Sequence, residues 1–164
     1  MKTLLILRHA KSSWKEAHFS DHDRPLNKRG QSDALKMGRL LREKELTPKL
    51  IICSTAKRAR ETVELVREAC GYEDEIRFSE ELYLAEPEAY IQALNELDDT
   101  YDRVMVVGHN PDLEELLELL TGEEHILPTA ALVQVVLPIQ TWRELDESVD
   151  SELIKLWVPR QLSE

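Results

Sequence analysis

The chain has 164 residues, of which 42% are hydrophobic and 32% charged, and its formal net charge is −11. This balance excludes a disordered chain, and the apolar runs are far shorter than the roughly 20 residues that cross a bilayer. The negative charge also argues against a nucleic-acid-binding protein. We therefore expect a single domain over residues 1–164, with no signal peptide or membrane segment. Cys53 and Cys70 are expected to be reduced thiols of a cytoplasmic protein.

The charge is distributed unevenly along the chain. Residues 1–60 hold 15 basic and 6 acidic residues, whereas residues 61–164 hold 6 and 26. A basic N-terminal third could concentrate positive potential at one anionic ligand, but ordinary solvated helix faces would give the same numbers. Composition alone leaves both interpretations open.

Apolar strands alternate with amphipathic helices in chain order. A strand over Lys2–Leu7 precedes a polar loop, and Asn27 is expected to cap a helix from Lys28 to about Glu45. The other predicted strands are Lys49–Cys53, Ile76–Phe78, Arg103–Val107, Leu132–Leu137 and Leu153–Val158. This alternation predicts an α/β fold, a three-layer α/β/α sandwich with a mostly parallel central sheet.

Three further helices are predicted between these strands. Ser54 or Thr55 is expected to cap the second helix, and Pro87 suits the first turn of the third. The fourth is expected to have Asn110 as its N-cap and Pro111 at its first position. The last two strands are predicted to be a hairpin or a neighbouring pair.

Three of the predicted strands run into residues suited to phosphate chemistry. Arg8 and His9 follow the first strand, Arg58 follows the second, and His109 follows the fourth. Because the carboxyl ends of parallel strands meet at one edge of a sheet, these side chains are expected to lie together. Arginine offers N–H forks that match phosphate oxygens, and a neutral histidine can attack phosphorus. Each residue alone is typical of an ordinary loop or helix surface, so the prediction rests on their coincidence.

Five stretches extend this pattern over nearly the whole chain. They are 7–14, 21–26, 54–62, 107–111 and 127–131, with the sequences LRHAKSSW, DHDRPL, STAKRARET, VGHNP and LPTAA. With them the chain resembles the histidine phosphatase superfamily, and more closely its bacterial phosphohistidine phosphatase SixA family. The resemblance implies a phosphoglycerate mutase-like fold. Ala10 stands where the superfamily usually has glycine, and it matches the SixA-like branch.

The resemblance also implies roles for particular residues. His9 would be the nucleophile that accepts the phosphoryl group, and no cofactor or metal is implied. The residues that would hold the phosphoryl group are Arg8, Arg58 and His109, and those that would border the pocket are Arg24 and Thr129.

Many superfamily members carry a carboxylic acid that protonates the leaving oxygen. Glu81 and Glu86 lie in about the right stretch, but no motif selects either, and both are typical of surface carboxylates. An alkoxide leaves poorly without such an acid, whereas an imidazole, whose pKa is about 6.5, can leave protonated. A site without a dedicated acid should therefore favour phosphohistidine over alkyl phosphates.

Chain length also favours a substrate displayed on a protein, since few residues remain for a lid over the pocket. The leading interpretation is a metal-independent phosphatase acting on a phosphohistidine protein of the phosphorelay or phosphotransfer type. One alternative is a phosphatase of small phosphomonoesters that uses the same site. Another is a non-catalytic adaptor that binds phosphate without turnover.

Other chemistries fit the sequence less well. His18 and His22 are four residues apart with Asp21 beside them, but they lack a complete set of metal ligands. Cys53 stands at a strand end but lacks the Cys-x5-Arg loop of a cysteine phosphatase, so we expect it to be a buried thiol.

Overall fold

A six-stranded sheet forms the centre of the computed structural model, which describes residues 1–15 and 19–162. The strands are β1 (Lys2–Arg8), β2 (Leu50–Ser54), β3 (Ile76–Ser79), β4 (Arg103–Gly108), β5 (Leu132–Leu137) and β6 (Glu152–Trp157). Their order across the sheet is β3-β2-β4-β1-β5-β6. The first four pair in parallel, whereas β5 pairs antiparallel with both β1 and β6. The predicted mostly parallel sheet and the neighbouring pair at its end are confirmed.

Helices cover both faces of this sheet. They are α1 (Lys28–Glu43), α2 (Lys57–Cys70), α3 (Pro87–Asn95) and α4 (Asp112–Thr121). Successive side chains of a strand point to opposite faces, so Leu5 and Leu7 of β1 pack in one core with α1 and α2. Leu4 and Ile6 pack in the other core with α3 and α4. The three-layer sandwich is therefore confirmed, and burial on both faces explains why residues 4–7 of β1 are all apolar.

The helix caps agree with the sequence in one case and differ in another. Asn27 caps α1 as predicted, because its side-chain oxygen accepts a hydrogen bond from the Gly30 backbone at 2.8 Å. The prediction that Ser54 or Thr55 caps α2 is wrong: Ala56 is the N-cap, and it makes no side-chain capping bond. Both hydroxyls instead bond to histidine rings, which are described below.

The start of α4 also differs from the prediction. Asn110 is not the N-cap: the helix begins at Asp112, and Pro111 precedes it after a cis peptide bond. The Asn110 amide donates at 2.8 Å to the carbonyl of Leu127, so this side chain holds the loop before β5 instead of the helix end.

Gly108, at the end of β4, is required by close packing. A Cβ at this position would lie 1.9 Å from the hydroxyl oxygen of Tyr90, a fully buried side chain of α3. The glycine therefore lets α3 pack directly beneath the strand end that carries His109.

Both cysteines are free and buried, as predicted. Burial raises the pKa of the Cys53 and Cys70 thiols, which suits an inert packing role. Within the described part of the chain, no helix is long and apolar enough to span a bilayer.

Candidate active site

A cleft of about 280 Å³ lies beyond the carboxyl ends of β1 and β4. Its lining residues are Arg8, His9, Lys11, Ser12, Trp14, Arg24, Arg58, His109, Asn110 and Thr129. The structure thus brings together all six residues that the sequence placed at the phosphoryl group or the pocket border. A larger groove of about 720 Å³ runs beside α2, but its lining mixes both charges and includes no histidine or cysteine.

The hydrogen bonds of His9 determine its tautomer. Its Nδ1 lies 2.7 Å from the carbonyl oxygen of Ala10. Because a carbonyl oxygen can only accept, Nδ1 carries the hydrogen and Nε2 keeps its lone pair. The Ala10 backbone N–H donates in turn to the Thr62 hydroxyl at 3.0 Å, which anchors this turn to α2. The ring is therefore held with one nitrogen available for chemistry.

His9 and His109 form a pair of buried imidazoles, with ring centroids 5.1 Å apart. Burial is the main cause that lowers the pKa of His9 to about 3 and that of His109 to about 4. The positive charges of Arg8 and Arg58 lower both further. Both rings are therefore neutral near pH 7 when no anion is bound.

The ring of His109 is held by Ser54, which the sequence analysis had considered as a cap of α2. Its Nε2 lies 2.7 Å from the Ser54 hydroxyl, at the end of β2. Its Nδ1 is buried and has no hydrogen-bond partner among the described residues. One nitrogen is thus fixed by the protein, and the other remains able to bond to a ligand.

The guanidinium groups of the cleft are also held by the protein at one nitrogen, while another nitrogen remains available to a ligand. Arg8 donates from Nη1 to the Leu127 carbonyl at 2.9 Å, and Arg24 donates from Nη1 to the Ser12 hydroxyl at 2.5 Å. The Nε atoms of Arg8, Arg24 and Arg58 are buried and unpartnered within residues 1–15 and 19–162. Buried N–H groups without partners are costly, and an anion in the cleft is the ligand that such donors suit.

Asp21 joins these arginines, and the sequence analysis did not identify it as a site residue. Its carboxylate lies 3.2 Å from Arg24 Nη2 and 3.1 Å from Arg58 Nη2, and it accepts a bond from the Tyr83 hydroxyl at 2.6 Å. The Tyr83 bond, followed by the arginine charges, lowers the pKa of Asp21 to about 2. Its sequence signal was its place in the stretch 21–26, three residues before Arg24, whereas its contacts with Arg58 and Tyr83 depend on the tertiary fold.

The remaining candidates lie outside the cleft lining. Glu81 and Glu86 are exposed, and their assignment as an acid stays a prediction. His22 is bonded to the Thr55 hydroxyl at 2.9 Å, while His18 lies outside the described residues. Among the residues described, no group of three or more His, Cys, Asp or Glu side chains is placed to hold a metal ion.

Comparison with known proteins identifies the family. Residues 4–83 match the histidine phosphatase superfamily (branch 1). A solved structure from Agrobacterium tumefaciens, assigned as a phosphohistidine phosphatase SixA, is 30% identical with a TM-score of 0.82. The match covers 96% of this chain and 98% of that chain. The chain belongs to the histidine phosphatase superfamily.

Two more distant structures share this histidine phosphatase fold. The protein histidine phosphatase SixA complexed with tungstate is 24% identical, with a TM-score of 0.85 over 98% of this chain and 99% of that chain. A mycobacterial glucosyl-3-phosphoglycerate phosphatase is 16% identical, with a TM-score of 0.72 over 96% and 99%. The family and the cleft support a phosphatase. Because one of these neighbours is named for a protein substrate and the other for a small molecule, the substrate must be argued from the cleft itself.

Proposed function

We propose that this phosphatase hydrolyses phosphohistidine on a partner protein, with His9 as its nucleophile. The observation that carries the proposal is the hydrogen bond from His9 Nδ1 to the Ala10 carbonyl. It leaves the Nε2 lone pair available in a cleft that is also lined by Arg8, Arg58 and His109. A neutral imidazole among cationic N–H donors can accept a phosphoryl group and stabilise the transition state.

In the first step, Nε2 of His9 attacks phosphorus. The P–Nε2 bond forms while the bond from phosphorus to the substrate imidazole breaks, and the bonding electron pair stays on the leaving nitrogen. The other nitrogen of the substrate ring has taken up one proton from solvent beforehand, so the ring leaves as neutral imidazole. The products are phospho-His9 and an unmodified histidine on the partner.

In the second step, water attacks the phosphorus of phospho-His9. The P–Nε2 bond breaks and its electron pair returns to Nε2. Orthophosphate leaves, and one proton of the attacking water is released to solvent, which balances the proton taken up in the first step. His9 returns to its starting tautomer, because the Ala10 carbonyl still accepts from Nδ1.

The groups around His9 hold the transferred phosphoryl group. The free Nε–H donors of Arg8 and Arg58 match its equatorial oxygens. A bound dianion favours protonation of a neighbouring imidazole, so His109 can become a donor through Nδ1 once the substrate is in place. Its Nε2 stays on Ser54 throughout.

The leaving group favours phosphohistidine as the substrate. Within the described residues, the cleft lining contains histidines, arginines, one lysine and neutral side chains, and no carboxylic acid. An imidazole leaving group needs no such acid, whereas an alkoxide does. This supports the phosphoramidate bond of phosphohistidine over the ester bond of a sugar phosphate.

A phosphatase of small phosphomonoesters is the second candidate, and the mycobacterial fold neighbour favours it. The two candidates differ in rate on matched substrates. We expect the wild-type chain to hydrolyse a phosphohistidine protein with a higher kcat/KM than a sugar phosphate. Equal or faster turnover of the sugar phosphate would contradict the proposed substrate.

Trapping the intermediate tests the nucleophile. Brief incubation with ³²P-labelled substrate should give a protein-bound label that survives alkali and is lost in acid, as a phosphoramidate is. His9→Ala should abolish the label and lower kcat by roughly 10³-fold or more, with an unchanged circular dichroism spectrum. Lys155→Ala, which removes an exposed side chain of β6 outside the cleft lining, is the control. Full labelling of His9→Ala would overturn the assignment.

No step of the proposed mechanism uses a metal ion. Incubation with excess EDTA should therefore leave kcat/KM unchanged. Inhibition by EDTA that added metal reverses would contradict this part of the proposal.

A further inference from the structure

Three large hydrophobic side chains stand in solvent on loops of the molecule. Ile126 is 83% exposed, Leu84 is 81% exposed and Trp14 is 76% exposed. Met1, the first residue, is 72% exposed, and the other large hydrophobic side chains in residues 1–15 and 19–162 are less than half exposed. Single exposed hydrophobic residues are common on proteins, so their positions decide whether they carry information.

Each of the three belongs to a different loop: one lines the active cleft, and the other two are next in sequence to residues that contact its lining. Trp14, between β1 and α1, lines the cleft itself. Leu84, between β3 and α3, follows Tyr83, whose ring centroid lies 5.7 Å from that of His109. Ile126, between α4 and β5, precedes Leu127, whose carbonyl accepts from Arg8. We call Trp14, Leu84 and Ile126 the apolar rim.

The backbone of Leu84 supports a role for this rim beyond stability. Its φ is 54°, in the left-handed region that residues with a Cβ seldom adopt. Leucine gains nothing there by burial, because its side chain is in solvent. Strained residues that folding does not explain are commonly found at binding surfaces.

The charge next to the rim defines the kind of partner. Residues 80–88, around Leu84, contain four Glu, and residues 112–126, which end at Ile126, contain six Asp or Glu, of which Asp112 is buried; neither segment has Lys or Arg. The two segments adjoin, because the Ala85 backbone donates to Asp112, and the active cleft is lined by arginines. A complementary surface would thus present one phosphoryl group to the cleft and basic residues to the two acidic segments.

We propose that the apolar rim and the acidic segments 80–88 and 112–126 form the docking surface for a folded protein that displays its phosphohistidine among apolar and basic side chains. The inference rests on the proposed function, because it names the face that presents the substrate. Three separate loops contribute, so the surface suits a folded partner that contacts all of them at once. A free phosphoamino acid would use the cleft alone.

The test compares one substrate that reaches the rim with one that does not. The probes are a histidine phosphotransfer domain, phosphorylated with phosphoramidate, and free phosphohistidine. The double variant Leu84→Asn/Ile126→Ser removes two rim side chains, and asparagine tolerates the left-handed backbone. We expect its KM for the domain to rise about ten-fold or more, with kcat unchanged. For free phosphohistidine, kcat/KM should stay within two-fold of wild type.

Matched controls lie on β6. Ile154→Ser removes a hydrophobic side chain that is 46% exposed, and it should leave KM for both probes unchanged. The acidic segments are tested by Glu88→Lys/Glu124→Lys, which should raise KM for the domain only. Glu152→Lys, also on β6, should leave it unaltered.

The outcomes separate this inference from the function on which it rests. If the wild-type chain hydrolyses neither phosphohistidine probe, the proposed function fails. If it hydrolyses both but the rim variant keeps a wild-type KM for the domain, the docking surface alone is wrong. A rim variant that loses activity equally on both probes would also overturn the docking surface, because the residues would then serve the cleft.

Discussion

The floor of the cleft and its rim differ in which side chains they bury. On the floor, His9, Arg58 and His109 are polar and yet buried. On the rim, Leu84 and Ile126 are apolar and yet exposed. Each arrangement raises the free energy of the isolated folded chain. Polar groups lose hydration on burial, and exposed apolar surface gives up the free energy that burial would provide. The comparison supports both proposals, an anion bound on the floor and a protein surface bound on the rim.

The two regions also differ in what supports them. The floor groups follow β1 and β4 or lie in the first turn of α2, where sheet and helix packing fixes them. Leu84 and Ile126 lie in connecting loops. Phosphoryl transfer needs donors held in fixed positions, whereas apolar docking tolerates small adjustments. Changes on the floor should therefore affect every substrate, and changes on the rim should affect protein substrates alone.

Among variants that keep the His9 nucleophile, the largest effect is expected from Arg58→Ala. Loss of one preorganised cationic donor at the phosphoryl group should lower kcat/KM by about 10²–10³-fold. Unlike the rim variants, it should do so equally for the phosphotransfer domain and for free phosphohistidine. Arg60→Ala, an exposed neighbour on α2, is the control. A loss confined to the domain would assign Arg58 to docking instead.

A smaller effect is expected from Asp21→Asn, because Asp21 acts through Arg24 and Arg58. Without its charge the guanidinium groups are held less firmly, and we expect KM and the Ki for orthophosphate to rise about ten-fold, with little change in kcat. Asp23→Asn is the matched control, since Asp23 contacts Ser20 and His22 instead of the cleft arginines. Equal losses in kcat and thermal stability would show a merely structural role.

Gly108→Ala tests the packing beneath the floor. Its Cβ would collide with the Tyr90 hydroxyl, so urea denaturation should show about 1–3 kcal/mol lower stability. The double variant Gly108→Ala/Tyr90→Phe removes the colliding oxygen and should recover part of this loss. No recovery would mean that the glycine serves the turn itself.

The last prediction concerns how the titration of His9 and His109 changes the stability of the fold with pH. The lowered pKa values of His9 and His109 predict that neither imidazole titrates between pH 5 and 8 in the free protein, which NMR of the ring nitrogens can follow. The unfolded chain binds these protons from about pH 6.5 downward. Stability should therefore be complete above pH 6.5 and fall as the pH approaches 4, with a weaker fall in His109→Asn. A midpoint near 6.5 in the folded protein would contradict the burial of these rings.

A predicted helix N-cap was correct only where its side chain had no other hydrogen-bond partner. The side-chain oxygen of Asn27 accepts from the Gly30 backbone and caps α1, and no other bond to it is found among the residues that the structure describes. Ser54 and Thr55 are equally good caps by residue type, but His109 and His22 occupy their hydroxyls. Those histidines lie 55 and 33 residues away, so sequence proximity could not reveal the competition.

The sequence by itself determined the sandwich and the membership of the cleft. Hydrophobic periodicity is a local property, and parallel strands must bring their carboxyl ends to one edge, so Arg8, His9 and His109 had to meet. Only the tertiary structure decided the tautomer of His9, the role of Asp21 and the apolar rim. Those features depend on contacts between loops that are distant in sequence, such as Tyr83 with Asp21, and on which apolar side chains the packed core leaves in water.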